Sequence, residues 1–327
     1  MMSKVPYEHT DYTGSKLGLF INRPSIYWSL KSTFRPFVVV NSAEKSREAL
    51  SICATKSDDM FLVHRQKKGP AKFGQLIIPV LPESILTNTK SNLRGQLRNH
   101  LNKVNREHSF FYILELYETH KKNGEGVHLF IVMVCIYVWI ELDDPTLLNV
   151  SRSFVKSFNY FFSEIISCPQ NWLTTACTKN QEDALMTLVS MISKTKDMFR
   201  VNMTVDSMVN VINAAHDAIY SAFLHLLKFD QNNVETIRET LKDHPNILAA
   251  GRHTTQVVQL FKYRIPANVD VVISLKGVSA FSYGEKSCVA KSRFAIELLQ
   301  FMMDNQIRFE GQTKNIDMFK KLLLFIE

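Results

Sequence analysis

The run VHLFIVMVCIYVWI, Val127 to Ile140, constrains this chain more than any other stretch. Fourteen residues this apolar must be buried on every side, yet a bilayer-spanning helix needs about 20. The run therefore reads as a core element and not as a membrane span. Residues 110–120, FFYILELYETH, precede it across the turn KKNGEG. The β-branched and aromatic content of the two runs predicts a long β-hairpin. A helical hairpin is the alternative, because periodicity cannot decide a continuously apolar segment.

Around this core the chain divides by composition. Residues 1–24 form an extended N-terminal arm, 25–144 a mixed basic lobe, 145–310 a helical lobe, and 311–327 a C-terminal helix or arm. The expected class is α+β, predominantly helical, with short strands or a hairpin in the N-terminal lobe and a helical C-terminal lobe. Phe37-Val-Val-Val reads as a strand, and SAEKSREALSICA as a helix capped by Asn41 or Ser42. Asp144 caps a further helix with Pro145 as its first residue. Helices are expected at 181–199, 205–228, 234–243, 247–263, 286–304 and 316–326, with VDVVISL as one interposed strand.

The N-terminus lacks a basic start followed by an apolar core, so no secretory signal is read there. The five cysteines are odd in number, scattered and without a C-x-x-C pair. They read as reduced thiols of a cytoplasmic protein, one that a virion could also carry.

The motifs of common chemistries are missing. ISLKGVSAFSYGEKSCVAKSRF reads as strand, glycine-serine loop and helix, the order of a phosphate-binding loop. Gly277 and Gly284 stand seven apart instead of five, however, and Glu285 puts a carboxylate at the phosphate seat. The stretch is better read as a helix start capped by Ser282 or Ser287. Glu141, Asp143 and Asp144 suggest a divalent metal, but a helix cap explains Asp144 more economically. No histidine pair has i,i+3 or i,i+4 spacing with a third ligand, and G-x-S-x-G is absent. Cys168 and Cys177 have no activating neighbour in sequence. No catalytic residue, metal site or cofactor is assigned on these grounds.

Charge is the remaining signal. Residues 65–106 contain nine basic side chains and one acidic, Glu83, a net of +8 that equals the formal charge of the whole chain. An ordinary solvated face mixes both signs. Arg65, Lys67, Lys68, Lys72, Lys90, Arg94, Arg98, Lys103 and Arg106 are candidate phosphate contacts, and Lys286, Lys291 and Arg293 a second basic wall. The expected function is sequence-independent RNA binding and assembly, of the nucleocapsid or capsid type, with self-association. Two other readings stand beside it. One is a protein-interaction or membrane-surface protein whose basic face meets an acidic partner or anionic lipid. The other is an enzyme with a spatially assembled metal site.

Overall fold

A computed structural model describes residues 7–8, 26–30, 36–55, 60–63, 106–122, 125–140, 144–167, 205–227, 233–245, 249–279, 281–282, 287–291 and 294–307. Positions 85, 95, 96, 98, 99, 102 and 190 are also described. These residues form a mixed helix and sheet structure that is mostly helical. The helices are α1 (Ala43–Thr55), α2 (Arg106–His120), α3 (Val127–Ile140), α4 (Asp144–Ser167), α5 (Val205–Leu226), α6 (Val234–Asp243) and α7 (Phe294–Asp304). The strands are β1 (Tyr7–Glu8), β2 (Ile26–Leu30), β3 (Pro36–Val40), β4 (Phe61–Val63), β5 (Ala249–Thr254), β6 (Val258–Leu260), β7 (Tyr263–Ile265) and β8 (Asp270–Ser274).

Packing divides the chain into two units that do not follow chain order. The first comprises residues 1–74 with 241–288, the second 75–240 with 289–327. Asp144, where composition suggests a boundary, opens α4 inside the second unit.

The first unit is built on a sheet ordered β1-β2-β3-β8-β5-β4, with β6 and β7 as a separate antiparallel pair. Strand β3 runs parallel to β8, and β8 antiparallel to β5. Val38, Val39 and Val40 are all fully buried, as expected of a strand covered on both faces. Helix α1 packs against β3 and β8, and Leu50 and Cys53 join Val38, Val40, Val271 and Ile273 in the core. Its start is local in origin: Ser42 Oγ accepts the Lys45 N–H at 3.2 Å. Asn233 does the same for α6, accepting the Thr236 N–H at 2.9 Å.

Two expectations fail in the described residues. The hairpin of residues 110–140 is helical, as α2 and α3. A helix satisfies its interior backbone groups without neighbours, which suits a segment enclosed by apolar side chains. Residues 247–263, expected to be helical, instead supply β5 and β6. β5 pairs with β8 and with β4, the latter far away in sequence, while β6 pairs with the adjacent β7.

The second unit has α3 at its centre, packed by α2, α4 and α5. Its connection to α2 is clamped by charge. Arg152 of α4 donates from Nε to Glu125 Oε1 at 2.5 Å and from Nη2 to Oε2 at 2.9 Å, and Nη2 also reaches the His120 carbonyl at 2.7 Å. Burial raises the Glu125 pKa, but the hydrogen bonds from Arg152 and the Lys122 N–H outweigh it, and the net shift is downward. Replacing Arg152 by Ala should cost about 1–3 kcal/mol, since a part-buried carboxylate loses both charged donors. Chemical denaturation at pH 7 measures this. The penalty should shrink as pH falls through the Glu125 titration, because a depressed carboxylate stabilises only while it is ionised.

Candidate functional site

Among the described cysteines, Cys53 and Cys135 are buried and Cys288 is exposed. Burial pushes the Cys135 thiol up to about 12, so at neutral pH it is inert as a nucleophile or metal ligand. Of these three, Cys288 is the exposed one.

The loop that presents it is shaped by its backbone. After β8 the chain turns at Gly277, which has φ +70° and donates its N–H to the Lys242 carbonyl of α6 at 3.0 Å. A Cβ there would meet Ala43 Cβ at 3.4 Å, and the left-handed backbone disfavours a side chain in any case. Beyond the turn, Ser282 adopts φ +60°, and its N–H donates to the Ser279 carbonyl at 3.2 Å. The Phe281 N–H donates to Ser279 Oγ at 3.2 Å. The loop closes where the Cys288 N–H donates to the Phe281 carbonyl at 2.8 Å. Ser287 is buried, whereas Cys288 faces outward. A 3-10 turn, Val289–Lys291, and then α7 follow. The peptide carrying the thiol is thus fixed at the end of a strand-and-loop frame.

The same unit holds a buried cation. Arg252 sits in β5, paired with Val271 of β8 and Val63 of β4, and is only 5% exposed. Nη1 donates to the Gly251 carbonyl at 2.9 Å, while Nε has no hydrogen-bond partner among the described residues. Burial lowers its pKa, partly opposed by Cys53. Its neighbours in β5 hold the strand in place: His253 Nδ1 meets Asp270 Oδ1 across the register at 2.7 Å, and Thr254 Oγ1 accepts the Val269 N–H at 2.9 Å. A guanidinium kept from water with an unsatisfied N–H is a seat for an anion.

The basic residues singled out in the sequence are not brought together among the described residues. Arg98 is helical and half-buried. Arg106 opens α2 and Lys291 ends the 3-10 turn. The side chains of those two lie outside the described residues, as do Arg65, Lys67, Lys68, Lys72, Lys90, Arg94, Lys103, Lys286 and Arg293. Glu141 and Asp143 are outside them as well.

No group of three or more His, Cys, Asp or Glu side chains positioned to hold a metal occurs among the described residues. No described helix is long and apolar enough to cross a membrane. Ser282 and Ser287 do not stand at the start of α7, so the cap expected from the sequence is not found there. Cys288, not singled out in the sequence, had its position as a signal: it follows the glycine-serine loop just before a helix. The histidines that meet are His128 and His216, 88 residues apart, which no spacing rule could pair.

No family model and no curated protein matches the sequence. Solved structures do match the fold. A cytochrome P450EX alpha, CYP152N1, with myristic acid superposes with TM-score 0.67 at 11% identity, covering 92% of this chain and 90% of that one. A cytochrome P450 OleT variant in complex with arachidonic acid gives TM-score 0.62 at 10% identity, with 92% and 90% covered. The cyanobacterial CYP120A1 with retinoic acid gives 0.58 at 12% identity, with 93% and 92% covered. These likenesses overturn the nucleocapsid reading, together with its RNA partner and capsid assembly. A segregated positive charge bears on solubility and association, but it does not specify a fold. Of the readings open at the sequence, an enzyme with a spatially assembled metal site agrees best with such neighbours. At under a third of the residues identical but nearly the whole chain aligned, what is shared is architecture: this chain has the fold of the cytochromes P450.

Proposed function

We propose that the chain is a haem-thiolate protein in which Cys288 is the axial ligand and Arg252 anchors a haem carboxylate. The carrying observation is Cys288 itself: an exposed sulfur on a backbone-fixed loop, in a chain whose solved fold neighbours are cytochromes P450. P450 haem iron is held by a cysteine thiolate. The donor set fits that group. Haem brings four nitrogen donors of its own, so the protein needs to supply one sulfur and no cluster of ligands. Haem also carries two carboxylates, and the Arg252 Nε is a buried donor in want of such an acceptor.

Bound haem supplies one-electron and oxygen chemistry, which a thiolate ligand steers towards O–O cleavage. The chain's own residues do the rest. The Cys288-to-Phe281 hydrogen bond holds the backbone that carries the thiol, and the Gly277 N–H ties the preceding turn to the Lys242 carbonyl. Arg252 would hold a haem carboxylate through a charge-assisted bond, strengthened by exclusion of water. The substrate class is an apolar chain ending in a carboxylate, a reading supported by the myristic, arachidonic and retinoic acids held by the neighbours.

Titrating the full chain with haemin tests this. Saturation at one haem per chain, with an absorption spectrum that shifts further on adding myristic acid, is the expected result. Haemin that remains in its free or aggregated form sinks the proposal. A haem spectrum indifferent to every long-chain acid sinks the substrate class alone.

A further inference from the structure

Inside the second unit, α3 and α5 meet through two imidazoles. His128 Nδ1 lies 2.6 Å from His216 Nε2, with ring centroids 4.8 Å apart. Tyr220, one turn beyond His216 on α5, stacks on His128 with centroids 3.6 Å apart and planes at 28°. His216 is 1% exposed and His128 half-buried. Two nitrogens this close hold one proton between them: one ring donates N–H and the other accepts. Both rings must then be neutral, or a charge is placed in a site kept from water.

We propose that the His128–His216 pair is an acid-opened lock between α3 and α5. It is independent of any cofactor. The first added proton goes to the outward nitrogen of the donor ring, the only bare nitrogen not engaged in the bond, and introduces an imidazolium into the core. The second puts N–H against N–H and breaks the bond. Among the described residues of the surrounding helices, Tyr117 of α2 donates its hydroxyl to the Glu125 carbonyl, and Arg152 of α4 pairs with Glu125. Lys156 of α4 and Asp304 of α7 are exposed, while Glu297 of α7 and His225 of α5 are half-buried.

Burial pushes both imidazoles down to about 3, with the neighbouring ring adding to the effect at His128. A histidine whose folded pKa is depressed contributes stability that is complete above its ordinary value, near 6.5, and lost as pH falls towards the folded value. Across that window each such histidine should favour unfolding about tenfold more per pH unit.

The experiment compares the full chain with His216→Gln and His128→Phe, the latter keeping a ring against Tyr220. Between pH 6 and 4.5 the unfolding constant of the unmodified chain should rise about tenfold more per pH unit than that of either variant. Amides of α3 and α5 should also lose hydrogen-exchange protection in acid before those of α7. If one variant fails to fold, the other carries the comparison. The imidazole nitrogen spectrum of the unmodified chain provides a measurement that needs no variant. Two neutral rings at pH 5, one protonated nitrogen facing one bare nitrogen, support the lock. Two rings titrating near 6.5, or acid exchange rising evenly over all helices, overturn it.

Discussion

Cys288→Ser should weaken haem binding by at least about tenfold, the loss usual when even an outer partner of a metal ligand is removed. The haem that still binds should show none of the spectral features of sulfur ligation. The serine keeps the Phe281-to-288 backbone bond and nearly the same volume, so secondary structure and unfolding midpoint should stay unchanged. Cys288→His offers a contrasting case: an imidazole restores affinity but changes the ligand field, moving the spectrum and raising the reduction potential. Equal affinity and identical spectra for all three proteins would mean that the iron is held elsewhere. Cys135→Ser is the control, since that thiol is buried in the apolar core of the second unit and should leave the haem spectrum unaltered.

Arg252→Met separates the cost of a buried cation from its use. Without haem, the guanidinium sits in β5 with an unsatisfied Nε, so replacing it by an apolar chain of similar length should stabilise the cofactor-free protein by about 1–4 kcal/mol. With haem the sign reverses. Losing a charged hydrogen bond of about 1.5–3 kcal/mol should weaken haem binding by roughly 10- to 150-fold. Arg252→Lys retains the charge but not the forked geometry, and should fall between. Thermal unfolding with and without haemin reads both effects. If Arg252→Met destabilises both forms alike, Arg252 is part of the core and not an anchor.

How far the sequence reaches can be seen in particular elements. β3, β8, α1 and α6 announce themselves through local chemistry: a valine run, a β-branched run, and the caps Ser42 and Asn233. α3 does not, because a run buried on all sides loses the periodicity that tells helix from strand, and its residues favour either. β5 is missed for a different reason, since its pairing with β4 is decided across the fold, whereas β6 pairs with the adjacent β7. The site fails in the same way. Cys288 belongs to none of the sequence motifs weighed, and on the present proposal its partner is not an amino acid at all. The glycine-serine loop around it resembles a phosphate seat only until spacing is checked. Arg252 looks like one more basic residue until the sheet buries it. The segregated charge of residues 65–106, by contrast, is obvious in the sequence and led to the wrong class of partner, because charge is legible without a fold and tertiary packing is not.

The central claim is the bond between Cys288 and iron, and X-ray absorption at the iron edge of the haem-loaded chain tests it most directly. The prediction is one sulfur in the first coordination shell of the unmodified protein, absent in Cys288→Ser with the four ring nitrogens retained. A first shell of nitrogen and oxygen alone in the unmodified protein would contradict it.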